Sequence, residues 1–297
     1  MRINTNVSSL VAQEANSKTN TAITSSLEKL STGLKINAAA DDASGLSIAD
    51  KLRTQASGLN QAVDNGNSGV ALLQIADQAM AEQSNILDIV KQKLLQASTA
   101  TTSADGIEAI GKDISKLLDQ INNIAVSTTY NGTQLLMQGS AGAVSAGTVV
   151  STAELKFQMG TTATDIITLG SGINVTTNGL DGMSALNTEA AGWIASGAVA
   201  TDLQSAARGH LASIDSALNT LNGWRADVGS TQNQVESSIR NLMTQVTNTL
   251  AAESVIRDVD YAEESANYNK QNIISQAGTY AMSQANSSAQ NVLTLLR

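Results

Sequence analysis

The residues of this chain that could do chemistry are few, and nothing in the sequence brings them together. His210 is the one histidine and there is no cysteine, so a thiol nucleophile, a disulfide and a two-histidine zinc motif are excluded by residue type. A serine nucleophile would need His210 as its base, but neighbours such as Gly209 offer no group to position the imidazole. We interpret His210 as a solvated or flanking residue, expect no enzymatic activity and predict no cofactor.

Acidic residues occur in three short clusters. An EF-hand loop places oxygen ligands at alternate positions, followed by a glycine and a distant glutamate, and Asp258-Val259-Asp260-Tyr261-Ala262 breaks that order. Carboxylates also favour the first turn of a helix, where backbone N–H groups are unpaired. We interpret Asp41-Asp42, the aspartates at 258 and 260, and Glu263-Glu264 as helix-start residues, and predict no metal site.

Composition indicates an acidic protein built on aliphatic contacts. The 297 residues carry a formal net charge of -9 with a pI near 4.6, which disfavours nucleic acid and anionic membrane surfaces as partners. Hydrophobic residues make up 42% of the chain but aromatic residues only 2%, a balance that suits helix-on-helix seams. Residues 1–10 lack the apolar run of a signal peptide and no stretch is long enough to span a membrane, so we expect no membrane insertion.

Apolar spacing follows the helical period in both flanks of the chain. Gln83 interrupts the second of four seams, and Arg225 and Gln232 interrupt the last, a heptad frame in which polar residues would fix register. A further helix is expected from about residue 260 to 297. The seam members are Ile23, Leu27, Leu30 and Leu34; Leu72, Ala76, Ala79, Ile86, Val90 and Leu94; Ile107, Ile110, Ile114, Leu117, Ile121 and Ile124; and Leu211, Ile214, Leu218, Leu221, Val228, Val235, Ile239, Leu242 and Val246.

The pattern changes between about residues 130 and 201, where Gly, Ser and Thr are abundant. In Leu155-Lys156-Phe157-Gln158-Met159 apolar and polar residues alternate, and a second alternating run covers 165–169. Alternation is typical of half-buried strands. The sequence therefore predicts a small β-hairpin region over about 139–170.

Several separate phrases, in order along the chain, resemble those of bacterial flagellins. The most specific are Leu30-Ser31-Thr32-Gly33-Leu34-Lys35-Ile36-Asn37 and Ala40-Asp41-Asp42-Ala43-Ser44-Gly45-Leu46-Ser47-Ile48-Ala49. The others lie at residues 3–10, 130–136, 254–262, 276–278, 284–286 and 290–297. Because the motifs occur at both ends, the resemblance covers nearly the whole length.

The resemblance implies a mainly α fold, in which the N- and C-terminal segments form a long antiparallel helical coiled-coil bundle with a small β-hairpin region in the middle. It implies an inner terminal domain, residues 1–43 and 256–297, whose paired helices line a filament channel. Residues 44–255 would form a second domain of long helices and the hairpin. Only about residues 170–200 remain as a short variable segment, so we expect little or no outer domain.

The function implied is that of a structural subunit, which polymerises with copies of itself into the extracellular bacterial flagellar filament used for swimming. Such a subunit would be exported unfolded by the flagellar type III route and would meet an export chaperone and cap and junction proteins. Ser and Thr residues of the central region are candidates for O-glycans. The alternative within the same group is a hook-filament junction protein with flagellin-like termini; a chemoreceptor-type signalling coiled coil would need membrane spans.

The terminal segments are expected to make the contacts between subunits. They are rich in Asn, Ser and Gln and sparse in apolar surface, so we hypothesise that both are disordered in the monomer and fold on joining the filament. The residues expected to pack between subunits are Ile3, Val7, Leu10, Ile23, Leu27, Leu30, Leu34, Ile273, Ile274, Tyr280, Val292, Leu293, Leu295 and Leu296.

One segment departs from the flagellins that the vertebrate innate immune receptor recognises. Where those carry an Arg-rich stretch resembling L-Q-R-V-R-E-L, this chain has Leu87-Asp88-Ile89-Val90-Lys91-Gln92-Lys93. Ile89 and Gln92 cannot replace an Arg fork and its charge partner, and Lys93 stands where those flagellins have a Leu. The Lys-X-Lys pattern is similar to flagellins of the Campylobacter and Helicobacter type, and it implies weak or absent receptor activation; the alternative is drift of ordinary exposed residues.

Overall fold

The computed structural model describes residues 6–137, 155–170, 173–180, 182–195 and 200–295, and their architecture is mainly helical. The predicted fold class is confirmed. The two longest helices have 55 and 58 residues, so each extends over about 80 Å. In chain order the elements are α1 Val7–Thr32, α2 Ala43–Ala97, α3 Ala104–Ser127, β1 Thr129–Tyr130, β2 Thr133–Gln134, β3 Lys156–Gln158, β4 Ile166–Thr168, α4 Met183–Ala195, α5 Ala200–Arg257 and α6 Tyr261–Leu295.

Short polar side chains begin the helices. Asp42 Oδ1 accepts hydrogen bonds from the backbone N–H groups of Ser44 and Gly45, and Asp260 Oδ1 accepts from those of Ala262 and Glu263. These bonds pair donors that the first turn of a helix leaves free. The interpretation of Asp42 and Asp260 as helix-start residues is confirmed.

The chain divides into two compact units. The terminal unit contains residues 1–57 and 245–297, and the central unit contains residues 58–244. The domain limits expected from the sequence, 1–43 with 256–297 and 44–255, divide the chain at other residues and stay a prediction.

Three long helices supply most of the core of the central unit. On α5 the buried side chains recur every seven residues, and α2 and α3 present similar buried stripes. This spacing is that of helices packed side by side. The buried members are Leu73, Met80, Leu87 and Leu94 on α2, Ile107, Ile114 and Ile121 on α3, and Ile214, Leu221, Val228, Val235 and Leu242 on α5.

The hairpin predicted from alternation is present within the described residues. Strands β3 and β4 pair antiparallel, with Phe157 opposite Ile167, and both of these side chains are buried. A Cβ added to Gly69 of α2 would lie 2.8 Å from the Phe157 ring, so the missing side chain lets the hairpin approach the helix closely. Residues 139–154 of the predicted region lie outside the described part.

A second, tighter hairpin joins β1 to β2. Its two-residue turn consists of Asn131 and Gly132, with φ values of 48° and 79°. Positive φ at both positions is the backbone of a type I′ turn, which Asn-Gly favours.

The segment over about 170–200 contributes to the core instead of forming only a variable connection. Val175 donates its backbone N–H to the Leu136 carbonyl, and Asn122 of α3 hydrogen-bonds with Thr177. Helix α4 then packs on α3. Its buried side chains are Met183, Leu186 and Ala190. Within the described residues, no helix combines the length and apolar content needed to cross a bilayer.

Candidate assembly interface

Helices α1 and α6 of the terminal unit pack against each other along a seam of small and polar side chains. On each helix the less exposed residues recur at alternating intervals of three and four, which is the heptad spacing of a coiled coil. Thr19 and Ser26 are the buried residues of this seam on α1. The seam members are Ser9, Ala12, Asn16, Thr19, Ile23, Ser26 and Leu30 on α1, and Glu264, Tyr268, Gln271, Ser275, Gly278, Met282 and Ala285 on α6.

Side-chain hydrogen bonds connect the two helices at two levels. The hydroxyl of Ser275 lies 3.3 Å from the Oδ1 atoms of both Asn16 and Asn20. Nearer the ends, Asn6 Oδ1 accepts from the Ser9 N–H while its Nδ2 donates to the Ala285 carbonyl at 3.1 Å. Asn6 therefore caps α1 and ties it to α6 with one side chain.

A backbone corner closes the other end of the α1–α6 pair. Leu34 and Asp258 form an isolated antiparallel bridge. On either side of it, the Lys35 N–H donates to the Arg257 carbonyl at 2.6 Å and the Val259 N–H donates to the Gly33 carbonyl at 3.0 Å. The pair is thus held in register by main-chain bonds where both helices meet their neighbours in sequence.

Of the nine predicted packing residues whose side chains the structure describes, six lie outside this seam and are exposed in the single chain. Val7 is 62% exposed, Ile273 67% and Tyr280 74%, and Leu10, Leu27 and Ile274 are exposed as well. Apolar side chains held on the outside of a helix pair are available to a neighbouring molecule.

The remaining predicted packing residues fall into two groups. Ile23, Leu30 and Leu34 are half-buried, the first two within the α1–α6 seam. Ile3 and Leu296 lie outside the described residues, and Val292, Leu293 and Leu295 lie in α6, where the structure describes the backbone alone.

Sequence reasoning overlooked five exposed apolar residues of the terminal unit: Val11, Ile48, Leu250, Val255 and Tyr261. Val11 is 60% exposed, and Val255 and Tyr261, beside the corner, are 86% and 56% exposed. Val11 extends the run that begins with Val7 and Leu10, so its position one turn from Val7 was a usable signal.

A shallow groove of about 590 Å³ runs beside the hydrogen bonds of Ser275. Uncharged amide and hydroxyl side chains provide most of its wall, and between Lys270 and Arg297 the sequence of α6 carries no charge at all. The lining residues are Gln13, Asn16, Ser17, Asn20, Thr21, Thr24 and Met282.

The segment that differs from receptor-recognised flagellins lies on α2 in the central unit. Lys91 forms an ion pair with Asp215 of α5, with Nζ 2.5 Å from Oδ1, and Lys93 forms one with Asp113 of α3 at 3.1 Å. Asp88, Ile89 and Gln92 are exposed. Both lysines are therefore engaged by acidic side chains of this same chain.

The interpretation of His210 as solvated or flanking is wrong. The residue is buried on α5, four residues before the buried Ile214, and its Nε2 lies 2.6 Å from Oε2 of Glu189 on α4. Its Nδ1 has no hydrogen-bond partner among the described residues. A polar side chain with a hydrogen-bond partner therefore occupies a core position. A pattern based on apolar residues could not reveal it.

Two family profiles match this chain. Residues 3–141 match the bacterial flagellin N-terminal helical region, and residues 211–296 match the bacterial flagellin C-terminal helical region. Together the matches include all of α1, α2, α3 and α6 and most of α5.

Individual proteins are also similar to this chain. The crystal structure of Bacillus cereus flagellin covers 64% of this chain and 94% of that one, at 24% identity and a TM-score of 0.47. The flagellar filament 33 kDa core protein of Treponema phagedenis is 33% identical over 100% of both chains. Flagellin of Bacillus subtilis (strain 168) is 38% identical, again over 100% of both chains. The chain belongs to the bacterial flagellin family.

Proposed function

We propose that this flagellin is the structural subunit of the extracellular flagellar filament and that α1 and α6 make its contacts between copies. The observation that carries the proposal is the outward placement of apolar side chains on a helix pair whose own seam is polar. Homologues are named as filament core proteins, and motility follows from that role.

The polar seam also explains why assembly and ordering would be coupled. Burying a Leu, Ile or Val contributes about 1.5–3 kcal/mol, and the α1–α6 pair leaves Val7, Leu10 and Ile273 exposed. The pair by itself therefore gains little against the entropy of ordering two long segments. Contacts with neighbouring subunits would supply the missing burial, so the two ends fold on joining the filament.

Substitution of the exposed apolar residues tests this interface. Leu10→Ser and Ile273→Ser remove apolar surface without touching the α1–α6 hydrogen bonds, and both should reduce filament yield in sedimentation and electron microscopy. Gln276→Ser, at an exposed polar position of α6, is the matched control and should assemble normally. Normal filaments from both Leu10→Ser and Ile273→Ser would overturn the interface.

Hydrogen exchange on the soluble monomer tests the coupled ordering. Residues 6–30 should exchange rapidly in the monomer and become protected in filaments. The central-unit core around Leu221 and Ile114, which is buried within one chain, should be protected in both states. Strong protection of residues 6–30 in the monomer would contradict the proposal.

Further partners follow from membership of the family. We propose an export chaperone, cap and junction proteins, and O-linked glycans on central Ser or Thr residues, as flagellins often carry. Co-purification from secreting cells tests the protein partners. Intact-mass measurement of native filaments tests the glycans, and a mass equal to that of the bare chain would exclude them.

Weak or absent activation of the vertebrate flagellin receptor rests on the segment at residues 88–93. Ile89 and Gln92 offer no cationic fork, and the ammonium groups of Lys91 and Lys93 are paired with Asp215 and Asp113. A reporter-cell assay should give a response far below that of an activating flagellin. A full-strength response would overturn the proposal.

Membership of the bacterial flagellin family supports a structural role and not a catalytic one. His210, the one histidine, is buried against Glu189, and the described part contains no group of three or more acidic or histidine side chains arranged to hold a metal ion. We assign the chain no enzymatic activity, and incubation of filaments with denatured protein substrates should release no fragments.

A further inference from the structure

The seam between α1 and α6 poses a problem of alignment. Small side chains such as Ala12, Gly278 and Ala285 repeat along it with heptad spacing, and this spacing is met again when one helix slips by seven residues. Heptad spacing therefore does not by itself define which residue of α1 lies opposite which residue of α6. A directional hydrogen bond at a seam position can define this alignment, because it forms in one register only.

Ser275 provides such a contact. Its hydroxyl lies within hydrogen-bonding distance of Asn16 Oδ1 and Asn20 Oδ1, which are one helical turn apart on α1. A slip of one heptad would place Ser275 beside Ile23 in one direction and Ser9 in the other. In either case both amides lose the hydroxyl. The loss is unfavourable chiefly for Asn16, which is half-buried, whereas the exposed Asn20 can bind water instead.

The position of this contact agrees with the bonds at the two ends of the pair. Between the Ser275 contact and the Leu34–Asp258 bridge, α1 advances 18 residues, from Asn16 to Leu34, and α6 advances 17, from Asp258 to Ser275. Between the Ser275 contact and the Asn6–Ala285 hydrogen bond, each helix advances 10 residues, from Asn6 to Asn16 on α1 and from Ser275 to Ala285 on α6. Three separated contacts therefore specify one antiparallel alignment.

We infer that Ser275, with Asn16 and Asn20, is a register key that aligns α1 with α6 as the chain enters the filament. The inference rests on the proposed function and deepens it, since the alignment of the two helices decides where Val7, Leu10 and Ile273 are presented to a neighbouring copy. These are positioning residues: they act through the register and not through contact with the partner.

The absence of cysteine from the sequence allows a direct measurement of the register. Ala15→Cys and Ala277→Cys introduce two spin labels at exposed positions on opposite helices. The doubly labelled chain is assembled with a large excess of unlabelled chain, so that only distances within one subunit are recorded. Without further change, the filaments should show one narrow distance distribution.

Ser275→Ala and the double variant Asn16→Ala/Asn20→Ala are then compared in the labelled chain. The distance distribution should broaden, because the Leu34–Asp258 bridge and the Asn6 bonds still hold the two ends of the pair while its middle is no longer fixed. Ser283→Ala, an exposed serine on the same helix, is the matched control and should keep the narrow distribution.

The outcomes separate the two proposals. If the labelled chain forms filaments and both variants keep one narrow distribution at the original distance, the register key is overturned while the filament function stands. If the chain forms no filaments even without substitution, the proposed function fails and the inference fails with it. A broader distribution in the two variants and an unchanged one in Ser283→Ala support the key.

Discussion

Leu34 and Asp258 lie opposite each other in an antiparallel bridge that joins the end of α1 to the start of α6. The bridge depends on the turn of the chain at Gly33, which adopts φ +75° and donates its N–H to the Lys29 carbonyl. Glycine is the residue that tolerates this left-handed conformation without strain. The corner of the terminal unit is therefore built around one glycine.

Gly33→Ala should weaken assembly. A Cβ at a positive φ is unfavourable by about 1–2 kcal/mol, and here it would also lie 2.9 Å from the Tyr261 hydroxyl, which can move because Tyr261 is exposed. The critical concentration for polymerisation should rise about five- to thirtyfold. The critical concentration of Gly33→Asn should lie between those of the unsubstituted chain and Gly33→Ala, because asparagine tolerates the left-handed region better than alanine. Equal critical concentrations for all three chains would refute the argument.

Two glycines in long helices should respond to alanine in opposite directions. Gly229 of α5 has open space where a Cβ would be, so Gly229→Ala should raise the free energy of unfolding by about 0.5–1 kcal/mol through helix propensity. At Gly69 the Cβ would lie 2.8 Å from the Phe157 ring, and overpacking of about 1–3 kcal/mol exceeds that gain. Chemical denaturation of the soluble chain measures both, and stabilisation by Gly69→Ala would mean that the hairpin does not rest on α2.

Five of the nine residues that apolar spacing placed in the α5 seam are buried. Ile214, Leu221 and Leu242 are buried as expected, but Leu211 and Leu218, at the alternate positions of the frame, are only half-buried. The side chains that complete the buried stripe are His210, Ala217 and Thr231. They are small or polar, so a pattern based on large apolar residues passes over them.

The same limitation is stronger in the terminal unit. The residues that pair α1 with α6 include Asn16, Thr19 and Ser26, whereas exposed Leu27 belonged to the predicted seam. Family motifs, and not periodicity, identified these segments as helical partners. Two local signals were present but unused: the Asn131-Gly132 turn, and the spacing of Met183, Leu186 and Ala190 that marks α4.

The contact between His210 and Glu189 should stabilise the docking of α4 on α5. Glu189→Ala would leave both ring nitrogens of a buried imidazole without a partner, since Nδ1 already has none among the described residues. Because half of the Glu189 side chain is exposed to water, the expected loss in the free energy of unfolding is about 1 kcal/mol, at the low end for an unpaired polar group. Glu189→Gln keeps an acceptor oxygen and should lose much less free energy of unfolding than Glu189→Ala. An equal loss in the two variants would show that the acceptor oxygen does not contribute to stability.

Asp41 should give the terminal unit a stabilising contribution that depends on pH. The backbone N–H groups of Ala38 and Asn37 donate to its Oδ2 at 3.0 and 3.1 Å, and with a smaller effect from Lys29 they hold the pKa of Asp41 below its usual value of 3.8. A depressed folded-state pKa means that the contribution is fully present above the unfolded-state value. It is lost as the pH falls through the folded-state value.

Asp41→Asn should therefore lower the thermal disassembly midpoint of filaments at pH 7, and the difference from the unsubstituted chain should shrink as the pH is lowered below 4. The reason is that a protonated Asp41 and an asparagine present similar neutral acceptors to the two N–H groups. Asp88→Asn, at an exposed carboxylate of the central unit, is the matched control and should change the midpoint little at either pH. A deficit for Asp41→Asn that is the same size at pH 7 and at pH 3 would show that the charge of Asp41 does not stabilise the corner.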